Sequence, residues 1–310
     1  MMPMLDLEMI ERLIASSRPR TSFVRGPMLI LLGVAILFGA WSADSKLIFA
    51  DRGLAGLIPP LLLLAIIVFF VRTVRQQKAL ARNMQEMTES VLLKQWPRAV
   101  DASQRVLSKP VSQSVVRAES LLALAIVAEA SQAFHVSQRI YESLLEERAA
   151  DPIQLHHACV GLGTALLRTG QTTDAVNLID RLQRDEDLPG PLQANVELLA
   201  VFREIMMGHA ADYVDRVEDR QQLFRRHLGT RAGFGYGLLA LVLDRAGQTE
   251  RAAQLWHDAT MLVSVGDLTE RFSELRAIAN KYPAAQVPAS IAANTNTQVV
   301  NPCEVAMGVG

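Results

Sequence analysis

Two stretches near the N-terminus run without a charged residue for about the thickness of a bilayer, and no other feature limits the fold so strongly. Residues 26–43 are bounded by Arg25 and Asp44, and residues 53–71 by Arg52 and Arg72. At 1.5 Å per residue each would reach ~27–28 Å as a helix, against a hydrocarbon core of roughly 30 Å. Neither 28–41 nor 61–71 offers the polar face that a soluble helix presents. Only residues 44–52 separate the runs, which predicts a transmembrane helical hairpin over 26–72. Pro59 and Pro60 sit near the start of the second span, where a missing N–H costs least, or mark a kink deeper in it. Trp41 occupies a position where a cleavage site needs a small residue, and Asp6, Glu8 and Glu11 make the leader acidic, so an uncleaved segment is expected.

Positive charge orients the hairpin. Arg18, Arg20 and Arg25 precede it and Arg72, Arg75, Lys78 and Arg82 follow it, with no acid among either set. The short loop balances Lys46 and Arg52 against Asp44 and Asp51. Both termini are therefore expected on the cytoplasmic side, with the basic clusters facing anionic headgroups. Ala35, Gly39 and Ala43 recur every four residues, a small-residue stripe that suits close approach of the second span or of a second copy of the chain. Residues 1–25 form a cytoplasmic leader. Within it Met4 to Ile14 has the spacing of a short amphipathic helix, read either as lying on the membrane surface or as a loosely ordered segment.

From residue 76 to 281 the apolar residues recur at helical spacing, and no six-residue segment alternates cleanly as a strand would. An all-α domain is expected. Candidate turns fall near Gln132, Gly170, Gly208 and Gly247, separated by 38, 38 and 39 residues, with a weaker one near Trp96 and Pro97. That period predicts about five stacked helical hairpins, an α-solenoid, because one hairpin cannot bury its apolar face alone. Two segments align position by position: Leu162, Gly163, Leu166, Gly170, Ala175, Ile179 and Leu182 against Leu239, Ala240, Leu243, Gly247, Ala252, Trp256 and Ala259. A third is looser, with Leu121, Leu124, Ala125, Ala128, Ser137, Tyr141 and Leu144, and the hairpins near 76–109 and 191–228 depart further. Asp267 is a candidate cap for a last helix over 268–280, and 282–310, rich in Ala, Asn, Thr and Pro, reads as a mobile tail.

This pattern of large, small and turn positions resembles the tetratricopeptide repeat (TPR) family across roughly 200 residues, although its period exceeds that family's. The resemblance implies a concave groove, lined by the first helix of each hairpin, that holds a peptide or partner helix. Its groove offsets fall on Glu119, Leu122, Ile126 and Glu129, then His157, Val160, Thr164, Leu167 and Arg168, then Phe234, Leu241, Asp244 and Arg245. Only Arg168 and Arg245 among these are cationic, which does not suit a clamp for a terminal carboxylate. A mixed apolar and charged groove suits an amphipathic helix or an extended segment, and plain packing against neighbouring helices is the alternative role for these positions.

Other chemistries find little footing. His156, His157 and Cys159 point in different directions on a helix and lack further ligands for a metal shell. The glycines at 161 and 163 and at 233, 235 and 237 have neither a preceding strand nor a following Gly-Lys-Ser/Thr, so no nucleotide cofactor is expected. Glu146, Glu147 and Arg148 read as a solvated helix end. Lys plus Arg (31) nearly equals Asp plus Glu (32), which gives no electrostatic basis for nucleic acid as a partner. No metal, cofactor or catalytic constellation is expected, and the chain is not read as an enzyme. The expectation is a bacterial inner-membrane scaffold that recruits another protein, with a structural subunit of a membrane complex as the alternative. The bacterial origin rests on the excess of Arg over Lys, 26 to 5.

Overall fold

The first helix of each hairpin ends where one residue turns left-handed. The computed structural model describes residues 5–19, 33, 58–147, 151–185 and 187–283. Among them the secondary structure is entirely helical, so the all-α expectation holds. The helices are α1 (Leu7–Ser17), α2 (Ile58–Leu92), α3 (Trp96–Leu107), α4 (Ser114–Ala130), α5 (Phe134–Glu147), α6 (Pro152–Arg168), α7 (Thr172–Gln183), α8 (Gly190–Met207), α9 (Val217–His227), α10 (Ala232–Arg245), α11 (Thr249–Leu262), α12 (Val265–Arg271) and α13 (Arg276–Lys281). They fall into two compact units that divide between Met206 and Met207.

Positive φ occurs at Lys94, Gln132, Gly170, Gly208 and Gly247, spaced 38, 38, 38 and 39 residues apart, and outside that interval at Gly229. Four of these turns share one hydrogen-bond pattern. The amide after the left-handed residue donates to the carbonyl five residues back: Gln95 to Ser90 (2.8 Å), Ala133 to Ala128 (2.8 Å), Gln171 to Leu166 (2.9 Å) and Gln248 to Leu243 (2.9 Å). This is the Schellman closure, which satisfies carbonyls the helix leaves open. Five residues after each left-handed residue a small one is fully buried: Ala99, Ser137, Ala175 and Ala252. The first turn thus lies at Lys94, and Trp96 and Pro97 open the next helix.

In the first unit each helix from α2 to α7 packs on the next, and α4 also touches both α2 and α6. Polar residues of α8 pair with α7: Arg203 reaches Asp180 at 2.7 Å, and Gln183 donates to Glu197 at 2.9 Å. After Gly208 the chain does not start a helix directly. A 3₁₀ segment, Ala210–Arg216, comes first, which explains why this region resists alignment with the other hairpins.

In the second unit α10 packs on α9, α11 and the C-terminal helices. The single final helix expected over 268–280 is broken. Ser264 caps α12, its Oγ accepting the Asp267 amide at 3.1 Å, and the extended Phe272 separates α12 from a 3₁₀ turn and α13. Phe272 is buried, and an unbroken helix would not deliver its ring to that position.

Among the described residues no helix is long and apolar enough to cross a membrane. All of the span expected over 26–43 except residue 33, including Ala35, Gly39 and Ala43, and nearly all of the tail lie outside the described residues, as does the start of the second span. The boundary expected between residues 72 and 76 falls inside α2, which continues unbroken because Arg72, Thr73, Val74 and Arg75 contain no helix breaker.

Left-handed backbone costs a non-glycine residue about 1 kcal/mol. Replacing Gln132 with Gly should therefore stabilise the first unit by up to about 1 kcal/mol, and Gly170→Ala should destabilise it by a similar amount. Thermal unfolding of both variants checks the opposed signs. Ala252→Arg should cost several kcal/mol through overpacking and a buried charge; an unchanged melting profile would contradict the packing at that position.

Candidate interaction surface

The three groups of groove candidates meet different fates. On α4, Glu119 and Ile126 are exposed and Leu122 is half-buried, while Glu129 accepts a hydrogen bond from the Tyr141 hydroxyl at 2.8 Å. On α6, His157 is exposed and Val160 and Thr164 are half-buried, with the Thr164 hydroxyl donating to the Val160 carbonyl at 3.1 Å. Leu167 is buried, and the Arg168 guanidinium lies 4.6 Å from the Phe202 ring centre and 5.8 Å from that of Phe134. Arg168 and Leu167 therefore bind helices together. The open part of this surface is Glu119, Leu122, Ile126, Val160 and Thr164, on two helices in contact.

The third group is occupied by the chain's own C-terminal helices. Phe234 stacks edge-on with Phe272 at 6.3 Å, and Arg271 lies over its ring at 4.8 Å. Asp244 accepts from the Lys281 ammonium at 2.6 Å and from the Tyr282 hydroxyl at 2.7 Å, and Leu241 is buried. Arg245 stays exposed. The Lys281 hydrogen bond is the main reason that the Asp244 carboxyl is held below its usual value. A lowered carboxyl stabilises the fold above its unfolded value and loses that contribution as the pH falls through the folded one.

A polar cluster that the sequence did not reveal fixes α1. Arg117 on α4 is 4% exposed. Its Nε donates to Ser17 Oγ at 2.9 Å, and Nη2 donates to the Ile14 carbonyl at 3.1 Å and to Glu147 Oε1 at 3.0 Å; Nη1 pairs with Glu147 Oε2. Arg18 also reaches Glu147, at 3.2 Å. Burial presses the Arg117 guanidinium below its ordinary value, with a smaller push from Arg18. Glu147 is therefore no solvated helix end. Around this cluster Ile10, Leu13 and Ile14 are buried where α1 packs on α3 and α5, and the Ser16 hydroxyl donates to the Leu107 carbonyl at 2.9 Å. Asp6 caps the helix, accepting the Glu8 amide at 3.4 Å. The apolar face of the leader thus faces protein.

The remaining motifs resolve into packing. A Cβ at residue 161 would come within 2.2 Å of the Tyr141 ring, one at 163 within 2.6 Å of Leu199, and one at 235 within 2.3 Å of Phe224. Glycine there permits close helix approach. His156 Nδ1 lies 2.7 Å from the Pro152 carbonyl and its Nε2 3.5 Å from Asp185, whereas Cys159 is buried and its thiol raised by desolvation. Among the described residues no group of His, Cys, Asp and Glu is arranged to hold a metal ion. No family model, curated protein or solved structure matches the chain.

Two measurements test these contacts. Arg117→Met leaves the Glu147 carboxylate without its main partner and should cost about 3 kcal/mol, the low end for a broken buried pair because Arg18 remains. Hydrogen exchange across Ile10–Ser17 should accelerate with it. Lowering the pH to where Asp244 protonates should accelerate exchange in α13, and Asp244→Asn should remove that pH dependence; a dependence that persists in the variant would assign the effect elsewhere.

Proposed function

We propose that this protein is a membrane-anchored scaffold that uses a TPR-like helical array to hold a segment of another protein. The observation that carries the reading is α2. Leu64 and Ile66–Val71 are all 41–67% exposed, a band of large apolar side chains running right round the helix, while Met87 in the same helix is buried in the array. Six consecutive exposed apolar residues have no place in water but suit lipid. A single rigid helix therefore joins an apolar segment to the repeats. Residues 58–63 extend it towards the second proposed span, residues 53–71.

The docking of α1 supports a hairpin. Residues 5–19 and the repeats after α2 belong to one unit, which supports an even number of crossings for an anchor between them. Positive charge at both ends of that anchor supports a cytoplasmic location for the unit. The common left-handed turns and buried small residues support the TPR-like array, and the free surface of α4 and α6 gives it a site that mixes apolar and polar groups, as a peptide or amphipathic helix requires. Anchoring raises the partner's effective concentration at the membrane without chemistry.

Membranes washed in carbonate should retain the protein, and protease outside right-side-out vesicles should spare 76–310. Release, or digestion there, overturns the anchor or its orientation. Crosslinking in cells should attach a foreign peptide to α4 or α6, and Ile126→Asp should abolish that crosslink without changing the melting temperature. Crosslinks confined to the chain itself overturn the scaffold reading. The exposed Val115, Ile126 and Ile153 favour a second reading, a structural subunit of a membrane complex. A fixed stoichiometric mass in mild detergent distinguishes it from transient recruitment.

A further inference from the structure

Immediately after its apolar band α2 carries four cations that make no hydrogen bond or ion pair among the described residues: Arg72, Arg75, Lys78 and Arg82. All four are exposed. At 100° per residue they fall within a sector of about 120°. Leu80, Met84, Met87 and Val91, which face the packed side, are centred roughly opposite. The stripe thus faces away from the array. No acid lies between residues 72 and 85, and the first carboxylate beyond, Glu86, is already held by Arg105 at 2.5 Å.

We propose that this stripe binds the phosphate groups of anionic phospholipids in the leaflet from which α2 emerges. The proposal rests on the membrane anchor and adds the lipid class that the anchor selects. Charge complementarity and continuity with the apolar band both point to this occupant. A second copy of the chain is a poor one: anchored copies stand parallel, so their stripes would meet cation to cation.

Distance along the helix grades the four contributions. Arg75, Lys78 and Arg82 lie about 4.5, 9 and 15 Å beyond Arg72 along the axis. The headgroup layer of one leaflet is roughly 5–7 Å thick, and charge is screened over about 8 Å at physiological salt. Arg72 and Arg75 therefore sit among phosphates, Lys78 reaches them with its long side chain, and Arg82 contributes least. Each cation at the surface corresponds to about a fivefold preference for an anionic over a neutral lipid.

The full chain, reconstituted in nanodiscs of equal parts phosphatidylglycerol and phosphatidylcholine, provides the test. Native mass spectrometry reads the lipids retained on the protein. The wild type should retain phosphatidylglycerol selectively, and the R72Q/R75Q/K78Q/R82Q variant should lose at least fivefold of that selectivity. R72Q alone should lose more than R82Q alone. The R72K/R75K/R82K variant keeps the charge and should keep the selectivity, and high salt should weaken it. Undiminished selectivity in the quadruple variant overturns the proposal and leaves the stripe to an acidic protein segment. Carbonate extraction of the same variant separates this from the anchor: a variant that stays in the pellet without losing selectivity fails only the lipid proposal, whereas release of the wild type fails the anchor.

Discussion

A buried arginine organises the first unit. Arg117 gathers the end of α1, the start of α4 and the end of α5 around one guanidinium, and four of its five N–H groups meet oxygen acceptors. A charge taken out of water needs this degree of satisfaction, because each missing partner leaves an uncompensated cost of several kcal/mol. The arrangement is specific as well as cohesive. Ser17 and the Ile14 carbonyl present their oxygens only if α1 ends there, so the cluster fixes where the leader stops and from which point on the domain the chain departs.

The turns are the second constraint, and they were the most legible. Gly170, Gly208 and Gly247 tolerate left-handed backbone, and the regular interval also identified Gln132, which has no glycine to mark it. Lys94 kept the interval while giving no residue-level signal, so Pro97, a helix opener, drew attention instead. Buried small residues such as Ala175 and Ala252 were equally readable, since the pattern around a turn is local.

What could not be read depends on distance along the chain or on competition between contacts. Arg117 and Ser17 are 100 residues apart, so Glu147 looked like an ordinary charged helix end. Arg203 pairs with Asp180 on a different helix, a contact that the local pattern of 191–228 does not show. On α10, Phe234 and Asp244 have the offsets of a groove but are covered by Phe272, Lys281 and Tyr282, a segment whose course depends on the break at Phe272. On α4 and α6 only Glu119, Leu122, Ile126, Val160 and Thr164 stay open, while Glu129, Leu167 and Arg168 are taken up by neighbouring side chains.

An unbroken α2 behaves as a shaft. Its hydrogen bonds run without a glycine, a bulge or a proline between Leu64 and Leu92, so one continuous helix links Phe69 and Phe70 to Met84 and Met87. Those methionines are wedged among α3 and α4, including Ala102 and Ala123. Motion of the apolar band is thereby coupled to the packing of the first hairpin.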